Sequence, residues 1–107
     1  MSAAKIRALN DAFRTTMTGG RVMMTSGVQA LGEKTVASVL TAGREFTAFS
    51  ADNDPHKEHD FGSFEISGRK FFFKLDYYDS AMEFGSEDPT DPSKTTRVLT
   101  VMLASEY

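Results

Sequence analysis

Apolar positions recur along this chain with different rhythms, and each rhythm predicts an element. Over residues 3–17, Ile6, Leu9, Phe13 and Met17 return at spacings of three and four, which places them on one face of an α-helix. Ser2 stands where a cap belongs, and Gly19-Gly20 supplies a stop. Lys5, Arg7, Asp11 and Arg14 fall elsewhere on the helix surface. Residues 21–25 form a short apolar run before Ser26-Gly27 and read as a strand. Residues 28–31 either extend that strand or make one helical turn. A second helix is predicted over residues 33–46, with Val36, Val39, Leu40, Gly43 and Phe46 as its buried stripe. Glycine at Gly43 costs about 1 kcal/mol relative to alanine in a helix, which predicts close packing against another element there. Phe49 is expected to anchor the chain as it leaves the helix.

The rhythm then changes from helical to two. In residues 61–67, Phe64 and Ile66 alternate with Ser63 and Glu65. Gly68-Arg69 supplies a turn, and residues 70–78 run back. There Phe71, Phe73, Leu75 and Tyr77 point one way, and Phe72, Lys74, Asp76 and Tyr78 the other. This is a β-hairpin with one fully apolar face. Residues 81–84 are read as a third short strand. Residues 92–107 start like a helix, with Asp91 as cap and Pro92 at the first helical position. Their apolar run from Val98 to Leu103 also suits a buried strand, and length favours the helix.

The expected fold is therefore α+β: an antiparallel hairpin, or a sheet of three to four strands, packed against two or three helices. Residues 1–107 are expected to form a single domain. The helices would cover the Phe face of the hairpin and leave the face of Lys74, Asp76 and Tyr78 partly open.

Composition narrows the function classes. The chain has no cysteine, which excludes disulfides, thiol catalysis and thiolate metal sites, and fits a reducing compartment. No run approaches the ~20 apolar residues that span a bilayer, and the start lacks the apolar run of a signal peptide. A cytoplasmic protein without membrane partners is expected. The formal charge of −3 is unevenly spread. Residues 1–51 carry six basic and three acidic side chains, residues 52–91 four basic and eleven acidic, and the rest a net +1. The acidic block disfavours direct nucleic-acid binding and favours a basic protein partner.

Both histidines lie in residues 52–62, at the head of the acidic block, with Asp52, Asp54, Glu58 and Asp60. Imidazole and carboxylate together can hold a divalent metal, which makes His56 and His59 weak metal candidates. Pro55 argues against the helix that would fix a His-x-x-His pair, and an EF-hand is excluded because Ser63 occupies the place of its bidentate glutamate. An acid–base dyad of His56 or His59 with Glu58 or Asp60 is the sharper alternative. No nucleophile elbow, P-loop or dinucleotide glycine pattern accompanies it, and no cofactor is expected. An ordered loop, with Asp and Asn bonded to nearby amides and Asp60 tethering the His59 ring, explains the same residues without chemistry. Asp76 and Tyr78, on the open hairpin face, make a second candidate recognition surface.

Several blocks in combination resemble a known family. They are Ile6-Arg7-Ala8-Leu9-Asn10-Asp11, Thr18-Gly19-Gly20-Arg21, Asp52-Asn53-Asp54-Pro55 with Glu58-His59-Asp60-Phe61-Gly62, Lys74-Leu75-Asp76-Tyr77-Tyr78-Asp79, and Arg97 to Ala104 with Glu106-Tyr107. The family is a numbered domain of unknown function, found in small alphaproteobacterial proteins and often encoded on plasmids and other mobile elements. Phe73 stands where the family carries Trp. The resemblance implies no catalytic residues. It implies a genomic context in which small acidic proteins bind host proteins, including as inhibitors of CRISPR or restriction systems. The reading that results is a non-enzymatic interaction module. Its candidate contacts are Asp52, Asp54, His56, Glu58, His59, Asp60, Asp76 and Tyr78, its partner a protein with a basic surface. A homodimer through the exposed hairpin edge is a further expectation. The alternative is a metal-dependent or acid–base enzyme built on His56–Asp60.

Overall fold

The structure, a computed structural model, describes residues 2–107. Helix α1 spans Ala3–Thr16 and is followed by strand β1, Arg21–Met24. A one-turn helix α2, Ser26–Gln29, leads into helix α3, Glu33–Glu45. Strands β2, Phe61–Ile66, and β3, Arg69–Tyr78, form the hairpin, and strand β4, Thr96–Leu103, ends in a 3₁₀ turn, Ala104–Glu106. The strands lie in the order β1-β4-β3-β2. Three helices against one four-stranded sheet make an α+β fold.

Two expectations about strands are corrected. Residues 92–107 are not a helix: β4 is an inner strand, antiparallel to β3 and parallel to β1. The sheet is therefore mixed rather than antiparallel. Arg97, Val98, Leu99, Val101 and Met102 are all buried, because β4 has a strand on each side and material over both faces. Such a strand loses the alternation that would mark it. Residues 81–84 form a turn, and only an isolated bridge joins Tyr78 to Gly85.

The hairpin follows its sequence rhythm. Phe64 opposes Phe71, and Gly62 opposes Phe73. The turn sits at Ser67-Gly68, one residue earlier than expected, with both residues at positive φ as the two-residue hairpin turn requires. A Cβ at Gly62 would clash with the buried Phe73 ring, so only glycine admits that ring. Phe71, Phe73, Leu75, Leu99 and Val101 join Phe13, Val28, Val39 and Phe46 in one core. At roughly 25 cal/mol per Å² of apolar surface, this core is the main stabilising element.

Helix α1 begins at Ser2, whose hydroxyl accepts the Lys5 amide, and closes with Met17 in the left-handed region. Two predictions about helix surfaces fail. Gly43 is buried, but a Cβ there would meet nothing within 4 Å, so close packing is not its reason. Arg14, expected on the surface, is only 3% exposed. Its Nη1 donates to the carbonyls of Gly43, Arg44 and Phe46, the unpaired acceptors at the end of α3. A guanidinium suits this position because it delivers several donors and stacks on aromatic rings. Arg14 lies 5.4 Å from the Phe49 ring centre and 5.5 Å from that of Phe73.

Candidate functional site

The connection from α3 to β2 contains the histidine and carboxylate cluster, and its backbone explains how the cluster is divided. Lys57 and His59 both take positive φ, near 58° and 56°, a costly region for residues with side chains. Asp54 holds this shape. Its Oδ1 accepts the amides of Glu58 and His59, each at 3.0 Å, and its carbonyl accepts the amide of Lys57. Asp54 is 5% exposed. Asn53 fixes the preceding turn by accepting the Ser50 amide and donating to the Ala48 carbonyl.

The inward residues are then tied to α1. His59 Nδ1 faces both carboxylate oxygens of Asp11, at 2.9 and 3.1 Å. An ionised carboxylate only accepts, so the proton in this contact belongs to Nδ1. Nε2 lies 3.7 Å from Asp54 Oδ2, and the ring stacks on Phe49 at 3.8 Å between centres. Asp11 also pairs with Arg14 at 3.1 Å. A continuous polar chain therefore runs from the end of α3 through Arg14, Asp11 and His59 to Asp54. The expected tether of His59 by Asp60 is corrected: Asp11 and Asp54 do it.

A second network sits beside the first. Asn10, fully buried, donates to the Glu58 carbonyl at 2.9 Å and to the Tyr77 hydroxyl at 2.7 Å. Tyr77 donates onward to Glu58 Oε1 at 2.8 Å. Arg97 donates from Nε to Asn10 Oδ1 at 2.8 Å and from Nη2 to the Pro89 carbonyl, and its guanidinium lies 5.3 Å from the Tyr77 ring centre. Burial, above all, raises the Tyr77 pKa well beyond the ordinary tyrosine value, and the Glu58 carboxylate adds to it. Burial lowers that of Arg97. The C-terminal end of β3 and the N-terminal end of β4 are thus connected to α1 through buried and half-buried hydrogen bonds, which are costly to leave unmade.

The outward residues face elsewhere. His56 is exposed and Asp60 half-buried, and both line a groove of about 650 Å³ between the loop and the open face of the sheet. Asp76, Lys74, Phe61 and Tyr107 also line it. Burial raises the Asp60 pKa, with Glu58 and Asp54 adding to the effect. Among the described residues no lysine or arginine forms an ion pair with Asp60, whereas Lys74 pairs with Asp76 at 3.1 Å. Glu106, at the groove's far wall, is fully used: it accepts the Thr25 hydroxyl at 2.6 Å and the amides of Leu103 and Gly27. The Thr25 bond, first among these contacts, holds its pKa below the usual range. Tyr107 packs edge-on against Phe61 and Phe72.

The structure therefore separates the eight residues singled out by sequence. His56, Asp60 and Asp76 come together at the groove. Asp54, Glu58 and His59 turn inward, and Asp52 is exposed in the preceding turn. Tyr78 shares the sheet face but lies outside the groove. Among the described residues, none of the pairings between His56 or His59 and Glu58 or Asp60 is a hydrogen-bonded dyad, and no three histidine or acidic side chains are placed to hold a metal ion. The networks also recruit Asn10, Asp11, Arg14, Tyr77 and Arg97, which sequence reading left out of the site. Asn10, Phe13, Arg14 and Met17 follow Ile6 at helical spacing, so the signal was present as polar residues within the buried stripe.

A family model described as a protein of unknown function (DUF3768) matches residues 24–106. The chain belongs to that family. The DUF3768 match takes in the histidine loop, the hairpin and β4, and it leaves α1, with Asn10, Asp11 and Arg14, outside the matched residues. No curated protein and no solved structure matches the chain. Among the described residues no helix is long and apolar enough to cross a membrane.

Proposed function

We propose that this chain is a non-catalytic protein-interaction module that takes a basic segment of a partner protein into the groove beside the histidine loop. The observation that carries the reading is Asp60. It is half-buried, desolvated enough to raise its pKa, and without a cationic partner among the described residues. A carboxylate in that state gains from an arriving lysine or arginine more than a fully solvated one does. Asp76 and exposed His56 extend the polar wall, and the Phe61 and Tyr107 rings offer faces to a cation. The inward residues would serve as scaffold for this surface.

The family resemblance adds the context of alphaproteobacterial mobile elements. On that footing the proposed partner is a basic, nucleic-acid-binding surface of a host defence complex of the CRISPR or restriction type, met in the cytoplasm. The test is affinity capture from host lysate after nuclease treatment, with wild type beside an Asp60→Lys, Asp76→Lys variant. A specific partner that is lost on charge reversal is expected. No partner, or one retained equally by the variant, overturns the reading.

A further inference from the structure

The sheet ends at β2, and the outer edge of that strand is open. The Ser67-Gly68 turn and the bond from the Leu75 amide to the Asp60 carbonyl fix the hydrogen-bonding phase of the hairpin. In that phase Gly62, Phe64 and Ile66 bond inward to β3, while Phe61, Ser63 and Glu65 turn their amides and carbonyls outward. Among the described residues nothing pairs with those outward groups. β2 contains no proline, no lysine and no bulge, and its one charged residue, Glu65, stands opposite Lys70.

Charge is distributed unevenly along this edge. Just before β2 lies Asp60, and just past its end the exposed Arg69 of the hairpin turn. Between them, Glu65 opposes Lys70 across the hairpin, so its charge is compensated locally. An edge that is acidic at one end and basic at the other is complementary to its own antiparallel copy.

We infer that two copies of this chain pair through their β2 edges about a two-fold axis at Ser63, joining two four-stranded sheets into one. The register centred on Ser63 is the one that uses all three outward residues: Ser63 meets Ser63 of the second copy, and Phe61 meets Glu65 in both directions. Side chains on the same face then stay on the same face, as a continuous sheet requires. Asp60 of each copy comes to lie beside Arg69 of the other. The contact is isologous and closes after two chains. The contact shares Asp60 with the groove, but Ser63 lies outside it, so Ser63→Pro tests the pairing separately from partner binding.

The test is sedimentation equilibrium over a wide concentration range, with circular dichroism confirming the fold of each variant. Wild type is expected at twice the chain mass. Ser63→Pro removes an outward amide, a place where an edge strand tolerates proline, and should weaken dimerisation about tenfold or more. Two further variants, Arg69→Glu and Asp60→Lys, should each weaken self-association. Mixed together, they should form a heterodimer, because one acid–base contact is then restored with reversed sign and the other is the native pair. A wild-type monomer throughout, a dimer indifferent to Ser63→Pro, or charge variants that do not prefer each other would overturn the inference.

Discussion

On the inner side of the loop at residues 52–60, Asp54, Glu58 and His59 are held by the loop's own amides, by Asp11 or by Tyr77. On the outer side, His56 is exposed and Asp60 faces a groove with no cation paired to it. The two sides are built from the same residue types, only a few positions apart. What separates them is backbone shape. Lys57 and His59, both at positive φ, bend the chain so that Glu58 and His59 turn inward between the outward His56 and Asp60, and Asp54 stabilises that conformation. A cluster that looks like one site in sequence is thus a scaffold and a surface placed back to back.

The comparison is sharpest at Asp54. Asp54→Ala removes the acceptor of two amides and one flank of His59, and is expected to cost about 2–3 kcal/mol, read as a lower midpoint in thermal or urea unfolding. A change below about 0.5 kcal/mol would break the distinction between the two sides. Tyr77→Phe should cost about 1 kcal/mol near neutral pH by leaving Asn10 and Glu58 short of a partner. It also carries a sign in alkali. Because the folded chain holds the Tyr77 proton more tightly than an unfolded tyrosine of pKa 10.0 does, its contribution is complete below pH 10 and falls as pH rises further. The variant should lose that part of the alkaline slope.

Gly43→Ala should act in the other direction. The position is helical and an added methyl meets nothing within 4 Å, so a gain of about 0.5–1 kcal/mol is expected from helix propensity. A loss would mean that the carbonyl taking Arg14 depends on glycine. The smallest effects belong to the outer side: His56→Ala and Asp60→Asn should stay within about 0.5 kcal/mol of wild type in stability. Relief of a desolvated carboxylate makes Asp60→Asn the more favourable of the two. Their consequences should appear in partner binding.

Much of the fold was legible because its rhythms are clean. The hairpin announced itself through strict alternation, and α1 and α3 through helical spacing. The final strand did not, since a run buried on both faces, such as Val98 to Met102, has no period to distinguish it from a helix. Its proline-led approach looked like a helix start, but Asp91 instead accepts the amide and hydroxyl of Ser93 in a local turn. Of the site, the loop's position was visible, but not which of its residues face outward, since Asp60 was expected to tether the His59 ring. The networks were not, because Asp11, Arg14 and Arg97 lie 48, 32 and 87 residues from the partners they reach: His59, Phe46 and Asn10. No local pattern encodes such a distance.

The placement of β4 bears on how the chain reaches this state. It is the last strand in sequence and an inner one in space, inserted between β1 and β3. As the chain is synthesised, β1 emerges early and has no neighbour to bond until β4 follows roughly one domain-length later. The hairpin can close by itself within microseconds, whereas the parallel β1–β4 pairing must wait and then overcome the loop entropy of everything between. Folding should therefore be slow for a protein of this size, with the hairpin formed early and the sheet completed last.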